Sequence, residues 1–150
     1  MAEPEIYRAL NRLLTILERS MPMYLSYASP WVRRGDSKAV TALEAIVEQQ
    51  RKLAERVAEL VLQRGPINLG EFPVEFYDTH DLSLDYLLSR LVDYQRRDVA
   101  ALERCVDDLQ SDRPSAAVAE EALGAARGHL EILEELAASL GNSTATWSVS

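Results

Sequence analysis

Four polar residues occupy positions where a helical chain should be apolar: Gln50, Gln95, Asp98 and His129. A carboxylate and an imidazole that meet inside a protein can share a proton or hold a cation, and two amides can complete either arrangement with hydrogen bonds. Each residue lies near the middle of its helical stretch, so helices of similar length bring all four to one height of a bundle. Burying any of them without a partner costs about 1–3 kcal/mol. They are therefore predicted to bond to one another as a mid-bundle polar network. A mononuclear metal site would be its reactive form, with His129, Asp98 and Glu121, two turns before His129, as ligands. A core histidine held by Asp98 or a glutamine, fixing helix register, would be its plain form.

Other candidates for chemistry are weaker. His80 stands beside Asp78 and Asp81, the composition of a metal cluster. Carboxylates at a helix entry cap it and offset its dipole, which predicts a surface histidine there. Tyr24, Tyr27 and Trp31 follow one another at helical spacing and suit one end of a bundle, with an aromatic ligand pocket as the other use; a small-molecule binder would draw on Tyr24, Gln95 and His129. Met21 belongs to the apolar face and Met23 points elsewhere, which leaves haem without a pair of ligands. Cys105 lies on an apolar face, where a thiol is inert. Phosphate loops, a nucleophile elbow and a cysteine–histidine pairing are all missing from the sequence.

Helices must position these groups. Apolar residues recur at helical spacing from about 4 to 28, 37 to 64, 83 to 109 and 114 to 140, with residues 141–150 left as a loose tail. Pro4 and Pro114 suit first turns, Asp36 or Ser37 the cap of the second helix, and Thr79 and Asp81 that of the third. Gly65 and Gly141 suit helix ends. Pro22 predicts a kink near Glu18 without a stop, because the apolar spacing continues on both sides. The core faces read Ile6, Leu10, Leu13, Leu14 and Leu17; Leu43, Ile46, Val57 and Val61; Leu84, Leu87, Leu91 and Leu102; and Val118, Ala122, Ile132 and Leu133.

Between the second and third helices, residues 65–82 (GPINLGEFPVEFYDTHDL) lose the helical rhythm. Extended at roughly 3.3 Å per residue they reach about 50 Å, more than the length of either neighbouring helix. Phe72, Val74, Phe76 and Tyr77 give this crossover enough apolar surface to lie against the bundle. Short loops on either side and one long crossover make an all-α fold: a single-domain four-helix bundle of two antiparallel hairpins with ferritin-like connectivity.

Composition narrows the function. With 150 residues, 47% of them hydrophobic, the chain can bury a core unaided. Its net charge of −8 argues against nucleic acid or an anionic membrane as partner. No apolar run approaches the 18 or so residues of a membrane span, the N-terminus lacks a signal-peptide pattern, and a lone cysteine cannot form an internal disulfide. A cytoplasmic location is expected.

Three segments resemble bacterioferritin-type members of the ferritin-like superfamily: LNRLLTILERSMPMYLSYA (Leu10 to Ala28) their first helix, AERVAELVLQRGPINLG (Ala54 to Gly70) the end of their second, and GHLEILEEL (Gly128 to Leu136) their last, around its metal-binding histidine. The resemblance implies two iron ions held by a Glu from each of two helices and a Glu-x-x-His from each of the other two. Carried over by position, the first-helix Glu falls at Leu17, beside Glu18. In the second helix the Glu falls at Gln49 or Gln50 and the His at Lys52 or Leu53. The third-helix Glu falls near Tyr94 or Gln95, and His129 matches the last histidine with Ala126 three residues before it. One ligand of six remains, and neutral amides cannot balance a pair of iron ions.

The expectation is a ferritin-like bundle that has lost its di-iron centre and serves as a non-catalytic interaction or assembly module. No cofactor is expected, and a homodimer is, since the resemblance implies pairing along the first hairpin; an unknown protein partner is the other possibility. The alternative is an atypical metal-binding or oxidoreductase bundle, holding iron or another transition metal around His129 and Asp98.

Overall fold

The computed structural model describes residues 2–28, 37–79, 82 and 84–149, with Ala28, Ser37 and 141–149 described by backbone alone. The expectations for Trp31, Asp36, His80 and Asp81, and for the Ser37 cap, lie outside what it describes. Among the described residues there are five α-helices and one 3-10 helix: α1 (Glu3–Glu18), α2 (Met21–Ala28), α3 (Ser37–Leu62), a 3-10 helix (Val74–Thr79), α4 (Leu84–Asp108) and α5 (Arg113–Val149). Among the described residues, no helix is long and apolar enough to cross a membrane.

Pro22 stops the first helix where a kink was expected. Lacking an N–H, it cannot bond the Glu18 carbonyl, and α1 ends at that residue. The chain restarts at Met21 because Ser20 caps the new helix: its Oγ accepts the Met23 N–H at 3.3 Å and its carbonyl accepts the Tyr24 N–H at 3.0 Å. The apolar spacing does survive the break, with Met21, Tyr24 and Leu25 all buried. Met23, expected to point elsewhere, is buried too.

Cross-helix contacts fix the directions. Glu3 at the start of α1 pairs at 2.9 Å with Arg64, just past α3, so these two helices run antiparallel. Arg56 of α3 pairs with Glu121 of α5 at 2.6 Å, and Glu103 and Arg96 of α4 pair with Arg127 and Glu134 of α5 at 3.2 and 3.0 Å. Arg12 of α1 reaches Asp108 of α4 at 3.1 Å. Thus α1 and α5 point one way, α3 and α4 the other. Two successive helices that run parallel need a return path between them, and residues 63–82 supply it.

That return path is stitched to α1. Tyr7 donates its phenol hydrogen to the Pro66 carbonyl, Asn11 Oδ1 accepts the Asn68 N–H at 2.8 Å, Thr15 Oγ1 accepts the Gly70 N–H at 3.4 Å, and Arg19 Nε donates to the Gly70 carbonyl at 2.9 Å. These four side chains are four residues apart and form one line along the helix. Farther on, Phe72 and Phe76 close on Tyr24 with ring centroids 5.2 and 5.5 Å apart. The 3-10 helix then buries Phe76 and Thr79. Thr79 bonds backward to the Phe76 carbonyl at 2.6 Å, inside the 3-10 helix.

Two helix ends differ from expectation. Among the described residues no glycine takes a positive φ, so Gly65 does not close α3 with a left-handed turn. Space is tight there instead: a Cβ would sit 3.0 Å from the Tyr7 ring, which would have to shift by a few tenths of an ångström. Residues 141–149 form no loose tail, since α5 stays helical through Gly141 to Val149. No proline follows, and one glycine costs a formed helix only about 1 kcal/mol. Ile132, assigned to the core face of α5, is 41% exposed.

Candidate functional site

The buried side chains form two apolar clusters. One gathers Leu13, Leu17, Leu53, Leu102 and Ala126 with their neighbours; the other gathers Met21, Ile46, Leu91, Val92 and Leu133. In every helix the boundary between them falls at a polar residue: Ser20 after α1, Gln50 in α3, Gln95 in α4, His129 in α5. These four are all buried. A polar layer at one height is therefore present.

Its bonding differs from the expected network. Gln50 accepts a hydrogen bond from Ser20 Oγ through Oε1 at 3.0 Å, and Gln95 donates through Nε2 to the Ala126 carbonyl at 3.0 Å. His129 Nε2 lies 2.6 Å from Gln49 Oε1. None of Gln50, Gln95, Asp98 and His129 bonds to another of the four. The reason is reach: Gln50, Gln95 and His129 each find a serine, a carbonyl or an amide close by before they could span the bundle axis. Ser20 was not singled out from sequence, and Gln49 only as the alternative to Gln50 for a lost ligand. Ser20 carried a signal, a cap residue two before a proline, whereas Gln49 falls on the outward side of α3 and gets to His129 only through its long side chain.

The amide oxygen facing His129 makes Nε2 the donor and leaves Nδ1 with its lone pair. Burial lowers the pKa of the ring below its usual 6.5, so it is neutral at pH 7. His129 Nδ1 and Gln95 Oε1 are buried acceptors with no hydrogen-bond partner among the described residues. Asp98, on α4 one turn beyond Gln95, is half-buried and bonds to no described residue; burial pushes its carboxyl up to about 7.

The metal-ligand positions are dispersed. Glu121 lies on the outer surface, paired with Arg56, not beside His129. Leu17 and Leu53 are core residues, Lys52 is exposed and pairs with Glu48, and Ala126 offers only its carbonyl, already taken by Gln95. Among the described residues no three His, Cys, Asp or Glu side chains converge as ligands. The donors that do face inward are neutral amides, one imidazole and one carboxyl, a poor match for two iron ions.

The other candidates also separate. Tyr24 belongs to the aromatic cluster against the crossover, away from the polar layer. A cavity of about 310 Å³ beside that cluster is bounded by Met21, Phe76, Thr79, Tyr94 and Arg97, and neither Gln95 nor His129 lines it. Cys105 is buried and its thiol is pushed up to about 11, chiefly by desolvation, which leaves it protonated and inert. Compared with protein-family models, curated proteins and solved structures, the chain matches none.

Proposed function

We propose that this chain is a four-helix bundle of ferritin-like connectivity whose interior has become a structural polar layer, and that it works as a self-associating interaction or assembly module of the cytoplasm. The order of helix directions and the long return path between α3 and α4 support the connectivity. One observation carries the functional reading. At the height where the resemblance implies six metal ligands, the inward groups are mostly neutral and already engaged: Gln50 with Ser20, Gln95 with a backbone carbonyl, His129 with Gln49. Such bonds fix how the helices meet, because sliding any helix by one turn leaves a buried amide or imidazole unpaired.

A second reading has its own support. The unpartnered His129 Nδ1 and Gln95 Oε1, with Asp98 one turn away, suit a single transition-metal ion better than a di-iron pair. Metal analysis after anaerobic reconstitution with ferrous iron, on wild type and His129→Ala, separates the two. The module reading expects less than a tenth of an equivalent in either, on the order of adventitious binding. One equivalent in wild type that disappears in the variant would replace it with an atypical metalloprotein.

A further inference from the structure

Arg90, Arg97 and Arg104 stand seven residues apart on α4 and are all exposed. Seven residues are two turns less about 20°, so the three form one outward line roughly 21 Å long. None takes part in an ion pair among the described residues, although Arg12, Arg56, Arg64, Arg96 and Arg127 all do. Arg97 lies over the Tyr94 ring at 5.0 Å, which holds its guanidinium at the surface. Tyr86 extends the line and is 64% exposed. Such a row with no ion pair among the described residues is unexpected in a chain of net charge −8, even with Glu75, Asp78 and Asp93 lining a cavity beside Arg90 and Arg97.

A matching line of opposite sign lies on α3. Glu44, Glu48, Glu55 and Glu59 are exposed and fall within about 60° of one another around the helix, over roughly 22 Å. Among the described residues only Glu48 of these four has an ion-pair partner, Lys52 at 3.8 Å. Leu62 ends this line as Tyr86 begins the other, and it is 60% exposed. Laid antiparallel with Leu62 opposite Tyr86, the two helices bring Glu59 within one position of Arg90 and set Glu44 opposite Arg104. Arg97 then falls opposite the exposed Arg51, between Glu48 and Glu55 and next to the paired Lys52, so the middle of the contact is basic on both sides. The lines agree in length and apolar end, and are opposite in sign where Glu59 meets Arg90 and Glu44 meets Arg104.

We propose that copies of this chain associate head to tail, the arginine line of α4 in one copy lying antiparallel along the glutamate line of α3 in the next. Helices α3 and α4 each pack against α1 and α5 and lie diagonally across the bundle, so the two lines occupy different faces. A contact between different faces is heterologous and builds chains or rings rather than an isolated two-fold dimer. This rests on the interaction-module reading and specifies its partner as a second copy. Tyrosine and arginine are favoured at such interfaces, and complementary charge sets their register. Ionic strength acts in two directions. The net charge of −8 repels at long range and is screened beyond about 10 Å near 0.1 M salt, whereas ion pairs in contact weaken only toward about 1 M.

Sedimentation velocity across ionic strength tests this, with Arg104→Glu, Glu44→Arg and the double variant carrying both, each checked for an unchanged thermal melt. Wild type should self-associate most strongly near about 0.1 M salt and less at about 1 M. Each single reversal should weaken association roughly tenfold. The double variant should recover it, because every contact then sets the new acid on α4 of one copy against the new base on α3 of the next. A wild type that stays monomeric to about 0.5 mM, single reversals that change nothing, or a double variant weaker than either single one would overturn the proposal. Stoichiometric iron would overturn the module reading alone and leave this surface to be judged by sedimentation.

Discussion

Asp98 is predicted to be held in the fold at a cost, and Asp98→Asn should remove that cost. Its carboxyl stands at about 7 in the folded chain against an ordinary 3.8. Between those values the folded chain keeps the proton and the unfolded chain has lost it, so stability falls as pH rises through the window and stays low above it. At 1.36 kcal/mol per pH unit the full difference is about 4 kcal/mol, and the partial exposure of Asp98 lowers the expected effect to about 2–4 kcal/mol. Asparagine has the shape of the protonated acid and no charge to desolvate. His129 contributes with the opposite sign: its pKa is lowered on folding, so stability falls as pH drops below 6.5, but that term is common to both proteins and cancels in their difference. Urea denaturation of wild type and Asp98→Asn at about pH 8 and about pH 4.5 measures the difference directly. The variant should be the more stable by about 2–4 kcal/mol at the higher pH and by only about 0.5–1 kcal/mol at the lower. A variant no more stable at pH 8, or one whose advantage is undiminished at pH 4.5, would refute the assignment of Asp98 to a desolvated position.

Three further expectations concern single contacts. Ser20→Ala removes the cap of α2 and strands the Gln50 amide, and should cost about 2–3 kcal/mol in chemical denaturation; Gln50→Leu should cost less than 1 kcal/mol, and the double variant should be more stable than Ser20→Ala alone. Gly65→Ala should cost roughly 1–3 kcal/mol because its Cβ meets the Tyr7 ring, and the loss should largely vanish in a Tyr7→Ala background, which a double-mutant cycle on thermal or urea melts would show. Cys105 should react with an aromatic disulfide reagent only as fast as the fold opens, so a labelling rate in native buffer close to that in denaturant would contradict its burial.

Helical spacing was sufficient to mark α3 and α4, and the starts of α1 and α5, to within a few residues, because the apolar stripe of a helix is a property of neighbouring residues. The same arithmetic placed Gln50, Gln95 and His129 inside, and the length of the 65–82 segment allowed it to return along the bundle. What spacing could not supply was the partner of each polar group. Ser20, Gln49 and the Ala126 carbonyl are far in sequence from the groups they satisfy, and only the way the helices meet brings them within 3 Å. The break at Arg19–Ser20 was half legible: Pro22 forbids one backbone bond, but whether a helix bends or stops depends on whether a side chain is ready to cap the restart. Glu121 shows the limit most plainly. Its position on α5 is two turns from His129 in any helix, yet Arg56 on α3 holds it at the outer surface, and that pairing exists only once the two helices are packed side by side.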